Sequence, residues 1–296
     1  MKNFSDIKHR IKSISDTRKI TGAMETISVA KMRKALRRYE NNKAYFETIR
    51  GVISDIILRT EKAEHKVFMQ SAKRKAAFIA IASDKGLAGG FNHNILAFAE
   101  REITRSIEPH VFAVGQVCEE YFTNRGIAID GAFADASYEP SVKQAAEMSE
   151  RVYSMFDRGE IDEAYIIYTA MEGRGKMTPS VLKLLPFDRD EVLGERDENI
   201  ADARERERIY YEPSPEEVLA TLIPQYLTAM IYGALIQSSA CEHSQRRSAM
   251  NSATRNANEL LEKLQVDYNR ARQETVTDEL SEIVTAANGV QNENRN

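Results

Sequence analysis

The chain has 296 residues, of which 42% are hydrophobic and 29% are charged, and it contains 14 glycines, 7 prolines and no tryptophan. This composition is more polar than that of a compact enzyme and is typical of long amphipathic helices, which expose much of their surface. The net charge of −4 gives no reason to expect a nucleic-acid-binding protein.

The cysteines and the chain start indicate the cellular setting. Cys118 and Cys241 are far apart and lack the spacing of metal ligands, which favours a reducing, intracellular environment. The first ten residues carry charge but no apolar segment of a signal peptide. We find no apolar run that approaches the roughly 20 residues needed to cross a membrane, so we expect no membrane span.

The first predicted element is a long helix over residues 5–58, which contain no proline. Their apolar side chains recur at steps of three and four residues. This seam consists of Ile7, Ile11, Ile14, Met32, Ala35, Tyr39, Phe46, Ile49, Ile53 and Ile56. A 3.5-residue repeat predicts a coiled-coil helix, and some 50 residues at 1.5 Å each would span roughly 75 Å.

Polar residues interrupt the seam near its start. The seam positions there are Arg18, Thr21, Glu25 and Ser28, whereas Ile20, Met24 and Ile27 fall on another face. Residues 1–38 are also strongly basic, with eleven lysines and arginines against three acidic residues. Such an arm could face an acidic protein surface, nucleic acid or acidic lipid, and the absence of interleaved aromatic residues slightly favours a protein partner.

The middle of the chain alternates between strands and helices. Short apolar runs predict strands at 76–82, 110–115 and 163–170, and helical patterns separate them at about 93–106, 116–124 and 141–157. This alternation predicts a small parallel α/β sheet. A charge-rich segment at 188–208 predicts a solvated loop or surface hairpin.

A second long helix is predicted after Pro213. Ser214 is the expected cap, Pro215 takes the first helical position, and two glutamates follow in the first turn. The helical pattern continues to about residue 287 and includes a seam at Met250, Thr254, Ala257, Leu261, Leu264, Tyr268, Ala271 and Thr275. Two long helices at opposite ends of one chain most simply pair antiparallel.

The patterns together predict five parts. They are an N-terminal coiled-coil helix at 1–60, a Rossmann-like α/β domain at 70–190, a charged loop and foot segment at 191–213, a C-terminal coiled-coil helix at 214–290, and a frayed tail at 291–296.

The glycine-rich turn after the first strand, Asp84–Gly90, is the one local motif that suggests a ligand. A glycine turn between strand and helix can hold phosphate through its backbone N–H groups. The spacing matches neither G-x-G-x-x-G nor G-K-S/T, so a structural turn at Gly86, Gly89 and Gly90 is the favoured interpretation. The five histidines show no metal-ligand spacing, and no catalytic motif stands out, so we expect neither a metal nor a cofactor.

Several stretches carry a resemblance to one family. They read IKHRIKSI, TRKITGAME and AKMRKA near the start, SDKGLAGGFN at the glycine turn, and EH at 242–243 and YNRARQ at 268–273 near the end. They are similar to the gamma subunits of F-type, bacterial ATP synthases, in register from about residue 4 to 290. The resemblance implies an antiparallel coiled coil of the two terminal helices with a small Rossmann-like domain beside its base.

It also implies a function that composition could not indicate. The family's gamma subunit rotates, as one copy per complex, inside a hexamer of alternating alpha and beta subunits and transmits torque from the membrane rotor ring. It also contacts the epsilon subunit, catalyses nothing itself, and binds neither nucleic acid nor a small-molecule substrate. The expected location is peripheral, on the cytoplasmic face of a bacterial cell membrane.

The resemblance assigns roles to individual positions. Contacts with the catch loop of beta are implied for Arg272, Gln273, Thr277 and Glu279. Contacts with the acidic lever of beta are implied for Lys19, Ile20, Ala23 and Met24. The bearing tip would comprise Ile283, Val284, Ala286 and Ala287, and the membrane-ring foot would comprise Tyr211 and Glu212.

Two other functions remain open on the sequence alone. An enzyme could bind a nucleotide on the α/β domain, in which case residues 70–190 would bind ATP or NAD. A coiled-coil adaptor for acidic surfaces would instead form a symmetric homodimer.

Overall fold

The computed structural model describes residues 4–59, 66–69, 75–172, 175–193 and 210–293, without the side chains of 191, 279 and 285–293. Two compact units are found: one joins Met1–Ile27 to Arg247–Asn296, and the other is Ser28–Arg246. The five-part division predicted from the sequence follows other boundaries and stays a prediction. Most of its charged segment, 194–209, and the end of its tail, 294–296, lie outside the described residues.

The described elements follow one another in this order. They are α1 (Phe4–Arg59), a short 3-10 turn (Lys66–Phe68), β1 (Lys75–Ile81), α2 (Phe91–Ile103), β2 (Glu108–Val114), α3 (Gln116–Asn124), β3 (Gly131–Phe133), α4 (Val142–Asp157), β4 (Glu163–Glu172), β5 (Lys176–Leu185), α5 (Arg189–Leu193) and α6 (Pro215–Glu293). Ser214 caps α6 as expected, because its Oγ accepts a hydrogen bond from the Glu217 amide at 3.2 Å.

The strands form one five-stranded sheet in the order β3-β2-β1-β4-β5. The first four strands are parallel to their neighbours and β5 is antiparallel to β4. The predicted fold class is confirmed, with an added antiparallel edge that makes the sheet mixed. The prediction missed β3, which has only three residues, and β5, which carries Lys176, Pro179 and Lys183 in place of an apolar run.

Both faces of the sheet are covered, which explains why β1 is apolar from Ala76 onward. Ala77, Ile79 and Ile81 point to one face, where they join a core that includes residues of α1, α4 and α6. Ala76, Phe78 and Ala80 point to the other face, against α2 and α3. The alternation follows from the two-residue period of a strand.

In the smaller unit the start of α1 and the end of α6 pair antiparallel. Phe4 stacks on Tyr268 with ring centroids 4.8 Å apart, and the hydroxyls of Thr21 and Thr254 lie 2.8 Å apart. As the residue number rises on α1, that of its partner falls on α6. The buried apolar side chains of the smaller unit, among the residues described, are Ile7, Met250 and Ala257.

The expectation from the sequence that no apolar run approaches membrane-spanning length is wrong. Residues 218–241 of α6 contain no charged side chain, and α6 is long and apolar enough by length and composition to cross a membrane. More than half of the apolar window, 56%, is buried inside the protein itself. Leu219, Ile223, Leu227 and Ile231 belong to the main core, so this stretch is a core helix.

The glycine with the tightest steric requirement is Gly115, at the end of β2. Its φ of +90° disfavours any side chain, and an added Cβ would lie 2.5 Å from the carbonyl oxygen of Ala82. β2 therefore turns into α3 directly against the backbone that follows β1, an approach that only glycine permits.

We expect Gly115→Ala to lower the free energy of unfolding by at least ~1–3 kcal/mol, because the positive φ and the backbone clash both oppose a side chain. Urea denaturation of the full chain measures the change. Gly51→Ala is the matched control: it lies within α1 with no atom near its added Cβ, so we expect a gain of about 0.5–1 kcal/mol. Equal stability of the two variants would contradict this account.

Candidate partner-binding surfaces and the buried junction

The residues expected to contact the beta lever lie on α1 in the smaller unit. Ile20 is 60% exposed, Ala23 is exposed and Met24 is half-buried. The Lys19 ammonium lies 3.4 Å from the Asp16 carboxylate, and both side chains are largely exposed. The structure thus brings an apolar and a cationic side chain together on an accessible surface.

The expected catch residues lie on α6. Arg272, Gln273 and Thr277 are all exposed, and the side chain of Glu279 lies outside the described residues. The Thr277 hydroxyl donates to the Gln273 carbonyl at 2.8 Å. Within the described part of the chain, no hydrogen bond or ion pair engages the Arg272 guanidinium, whereas its neighbour Arg270 is paired with Glu274 at 3.1 Å.

The expected bearing tip follows on the same helix. Ile283 and Val284 are 65% and 57% exposed. Leu280 and Val276 are also exposed, which extends the apolar surface back by two turns. The side chains of Ala286 and Ala287 lie outside the described residues. A run of exposed apolar side chains of this kind marks a surface for another protein.

The two expected foot residues differ in their surroundings. Glu212 is exposed, whereas Tyr211 is half-buried and packs its ring against the main core. The Tyr211 hydroxyl is buried without a hydrogen-bond partner among the described residues, and burial, followed by the nearby Asp55 carboxylate, raises its pKa. Tyr211 is therefore at least partly an anchor for the segment that precedes α6.

The glycine turn follows β1, and its glycines differ in what they require. Gly89 has a φ of +58° and needs glycine for that reason. An added Cβ on Gly86 would meet open space, and one on Gly90 would meet only the Asn94 side chain at 3.4 Å. The close approach occurs at Gly115 instead.

Asp84, in the glycine turn after β1, lies against the start of α3. Its Oδ1 accepts hydrogen bonds from the backbone amides of Gln116 and Asp135, both at 3.1 Å. Its Oδ2 accepts one from the amide of Tyr138 at 2.8 Å. Gln116 is the first residue of α3, and a helix N-terminus attracts anions. The chain's own carboxylate therefore fills the anion-binding position after the sheet.

Hydrogen bonds of Ser83 also hold the glycine turn in shape. The Ser83 amide donates to Asn92 Oδ1 at 3.0 Å, and the Ser83 hydroxyl donates to the Lys85 carbonyl at 2.8 Å. Among the described residues, no group of three or more His, Cys, Asp or Glu side chains could hold a metal ion. These contacts disfavour a nucleotide site at the turn.

A buried charged cluster on α6 lies against this turn, and no sequence pattern indicated its contacts. Arg246 donates from Nη1 to Glu242 at 2.5 Å, and from Nη2 to the carbonyls of Lys85 and Gly86 at 2.8 and 3.1 Å. Glu242 accepts a second bond from the Ser137 hydroxyl at 3.0 Å. Side-chain exposure is 7% for Arg246 and zero for Glu242. We call these contacts the junction.

His243 completes the junction. It is 3% exposed, and its Nδ1 accepts a hydrogen bond from Arg246 at 3.3 Å. Burial, then the charges of Arg246 and Lys31, lowers the pKa of His243 from 6.5 to about 4. Burial raises the pKa of Glu242, and the Arg246 guanidinium opposes that rise.

We expect Arg246→Met to lower the free energy of unfolding by about 3–5 kcal/mol, because it leaves the buried Glu242 carboxylate without its counter-charge. The control is Arg270→Met, which removes an Arg–Glu pair of the same i,i+4 spacing from the same helix. Arg270 is 82% exposed, so its loss should change stability by less than about 0.5 kcal/mol. Chemical denaturation of both variants decides, and similar small losses would refute the junction's role.

The histidine predicts a pH dependence. Its folded pKa of about 4 lies below its ordinary value of 6.5, so the unfolded chain binds the proton first as the pH falls. The stability that neutral His243 contributes is therefore complete above pH 6.5 and is lost towards pH 4, by no more than about 3 kcal/mol. Denaturation midpoints between about pH 7 and pH 4.5 should fall more steeply for the natural chain than for His243→Gln. Parallel curves would count against this expectation.

Comparisons with known proteins agree on one family. A model of the ATP synthase family matches residues 3–290. The ATP synthase gamma chain of Acetivibrio thermocellus is 39% identical over 295 residues, which cover 97% of this chain and 99% of that one. A sodium-ion-specific ATP synthase gamma chain of Acetobacterium woodii is 38% identical, with 96% and 98% covered.

Solved structures support the fold. A chain from the rotational-state-3 structure of the Euglena gracilis mitochondrial ATP synthase matches with a TM-score of 0.65 at 14% identity, covering 97% of this chain and 94% of that chain. A chain from the central stalk and c-ring of the Tetrahymena thermophila mitochondrial enzyme matches with a TM-score of 0.59 at 19% identity, covering 79% and 99%. With the full-length family match and relatives at 38% and 39% identity, these findings establish that the chain belongs to the ATP synthase gamma chain family.

Proposed function

We propose that this chain is the central rotating shaft of an F-type ATP synthase and catalyses no reaction itself. It turns, as one copy per complex, inside a hexamer of alternating alpha and beta subunits. It couples ion flow through the membrane rotor ring to ATP synthesis or hydrolysis at the beta-subunit sites. The complex holds it as a peripheral subunit at the cytoplasmic face of a bacterial membrane.

The observation that carries this proposal is the exposed end of α6. The Arg272 guanidinium, which no described residue engages, is followed by apolar side chains at Val276, Leu280, Ile283 and Val284, all exposed. A shaft needs a smooth end with few strong fixed contacts, because a deep energy minimum would stall rotation. The apolar tip meets that need, and charge-assisted hydrogen bonds from Arg272 would supply transient catches on beta.

The non-catalytic role is supported by the filled turn of the α/β domain. Asp84 already binds the backbone amides that would hold a nucleotide phosphate. The alternative function, a nucleotide-dependent enzyme, would need these amides to be free for a phosphate. Measurable heat of ATP or NAD binding to the full chain would revive that rival, and a symmetric homodimer in solution would favour the adaptor.

A second surface suits a partner that turns together with the shaft. An open, mainly apolar groove of about 770 Å³ lies between α1, α4 and α6 in the larger unit. Its lining includes Tyr45 of α1, Tyr153 of α4, and Pro224 and Tyr232 of α6. A deep apolar contact holds its partner in place. We therefore assign the groove to the epsilon subunit, and we assign the exposed helix ends to contacts with the hexamer.

We expect Arg272→Ala to lower the rate of ATP synthesis in membrane vesicles by about tenfold, because one charge-assisted hydrogen bond contributes ~1.5–3 kcal/mol and about 1.4 kcal/mol is a factor of ten. Arg270→Ala is the control, since its guanidinium is already paired with Glu274 on the same helix, and it should change the rate less than about twofold. If both variants kept the natural rate, the catch assignment would be wrong.

A further inference from the structure

In the smaller unit α1 buries a polar side chain and exposes apolar ones, which is the reverse of what the hydrophobic effect alone would favour. Thr21 is buried, with 8% exposure, whereas Ile20 and Ile27 are 60% and 55% exposed. Ala23, between them, is exposed as well. The three exposed side chains lie three and four residues apart, so they form one stripe along the helix. We call Ile20, Ala23 and Ile27 the outer stripe.

Polar bonds between α1 and α6 accompany this reversal over three successive positions. The Thr21 and Thr254 hydroxyls are 2.8 Å apart. Arg18 donates to the side-chain oxygen of Asn258 at 3.4 Å, and Asn251 donates to Glu25 at 3.1 Å. The threonine pair lies at the centre of the contact, and the two flanking bonds lie at its exposed rim.

Around Thr21, turning α1 by one residue position would satisfy the hydrophobic effect better. Neighbouring residues on a helix are about 100° apart, so such a rotation would expose Thr21 and bury Ile20 and Ile27. Ile7, two heptads earlier in the same unit and 4% exposed, opposes this turn at its own position. The hydroxyl pair at Thr21 opposes it at the place where the two exposed isoleucines favour it.

We propose that the Thr21–Thr254 hydroxyl pair, with the Arg18–Asn258 and Glu25–Asn251 bonds beside it, is a rotational pin that holds the outer stripe towards partners. Thr21 and Thr254 are positioning residues. In the rotated phase the Thr254 hydroxyl would face an isoleucine and lose its partner, which is costly for a half-buried polar group. The inference rests on the proposed function, because Ile20 and Ala23 belong to the lever set, and it adds Ile27 to that set.

The stripe also defines the partner surface it fits. Its side chains are apolar or small, and the Lys19 ammonium lies beside Ile20 with most of its surface exposed. A complementary surface combines an apolar ridge with carboxylates. Such a partner surface could move along the outer stripe, because no deep pocket would hold it at one position.

The test measures the orientation of α1 directly. The full-length chain carries Ala23→Cys as a maleimide-labelling probe, and the native Cys118 and Cys241 are both fully buried. Thr21→Val and Thr254→Val each leave one hydroxyl without its partner across the pair. We expect both to slow labelling of the probe at least threefold, because the helix turns the introduced thiol towards α6.

Two matched variants separate the pin from a general loss of packing. Thr21→Ser keeps the hydroxyl and should label as fast as the probe alone. The double variant Thr21→Val/Thr254→Val removes the hydroxyl pair while keeping the shape of both side chains, so it should label as slowly as the single variants. Natural labelling rates in both single variants would overturn the pin, as would equal slowing in Thr21→Ser.

ATP synthesis by the same variants without the probe distinguishes this inference from the proposed function. The single and double valine variants should lose synthesis at least threefold, and the serine variant should keep it. Slow labelling with unchanged synthesis would support the pin but refute the role of the outer stripe as a lever contact. Thermal unfolding of each variant checks that the chain remains folded.

Discussion

A buried guanidinium gives the long C-terminal helix a charged contact with the sheet domain, beside the apolar core that the two share. Arg246 neutralises Glu242 within α6 and at the same time donates to two carbonyls of the glycine turn. Taking a cation and a carboxylate out of water is expensive, and only full hydrogen bonding makes such a pair tolerable. The glycine turn must therefore keep its shape for the buried charges of α6 to stay satisfied.

The same turn supports the proposal that this α/β domain binds no nucleotide. Asp84 satisfies three backbone amides after the sheet, and Gly115 allows the neighbouring backbone to approach closely enough for this arrangement. The Asp84 carboxylate supplies the negative charge that a bound phosphate would otherwise bring. Its hydrogen bonds stabilise the domain that lies beside α6.

Periodicity was sufficient to predict the long helices and the apolar strands, because both bury residues at a regular spacing. It failed for β5, where charged residues and Pro179 at the sheet edge hide the pattern, and for the apolar stretch of α6, whose burial shows only in three dimensions. The junction could not be derived from the residues, since Arg246 meets partners about 160 positions away. The resemblance marked Glu242, His243 and the glycine turn without indicating that Arg246 connects them. The polar seam positions at Thr21 and Glu25 were visible in the sequence, but their purpose depends on which residues of α6 face them.

The central claim is that this chain turns inside the complex that surrounds it. The direct measurement attaches a bead through a cysteine introduced by Thr123→Cys, at an exposed position on α3. Single-molecule microscopy then follows the bead in the purified complex with alpha and beta subunits during ATP hydrolysis. Our account predicts one bead-bearing chain per complex and sustained rotation in one direction. A complex that hydrolyses ATP at its full rate while this chain stays still would contradict it.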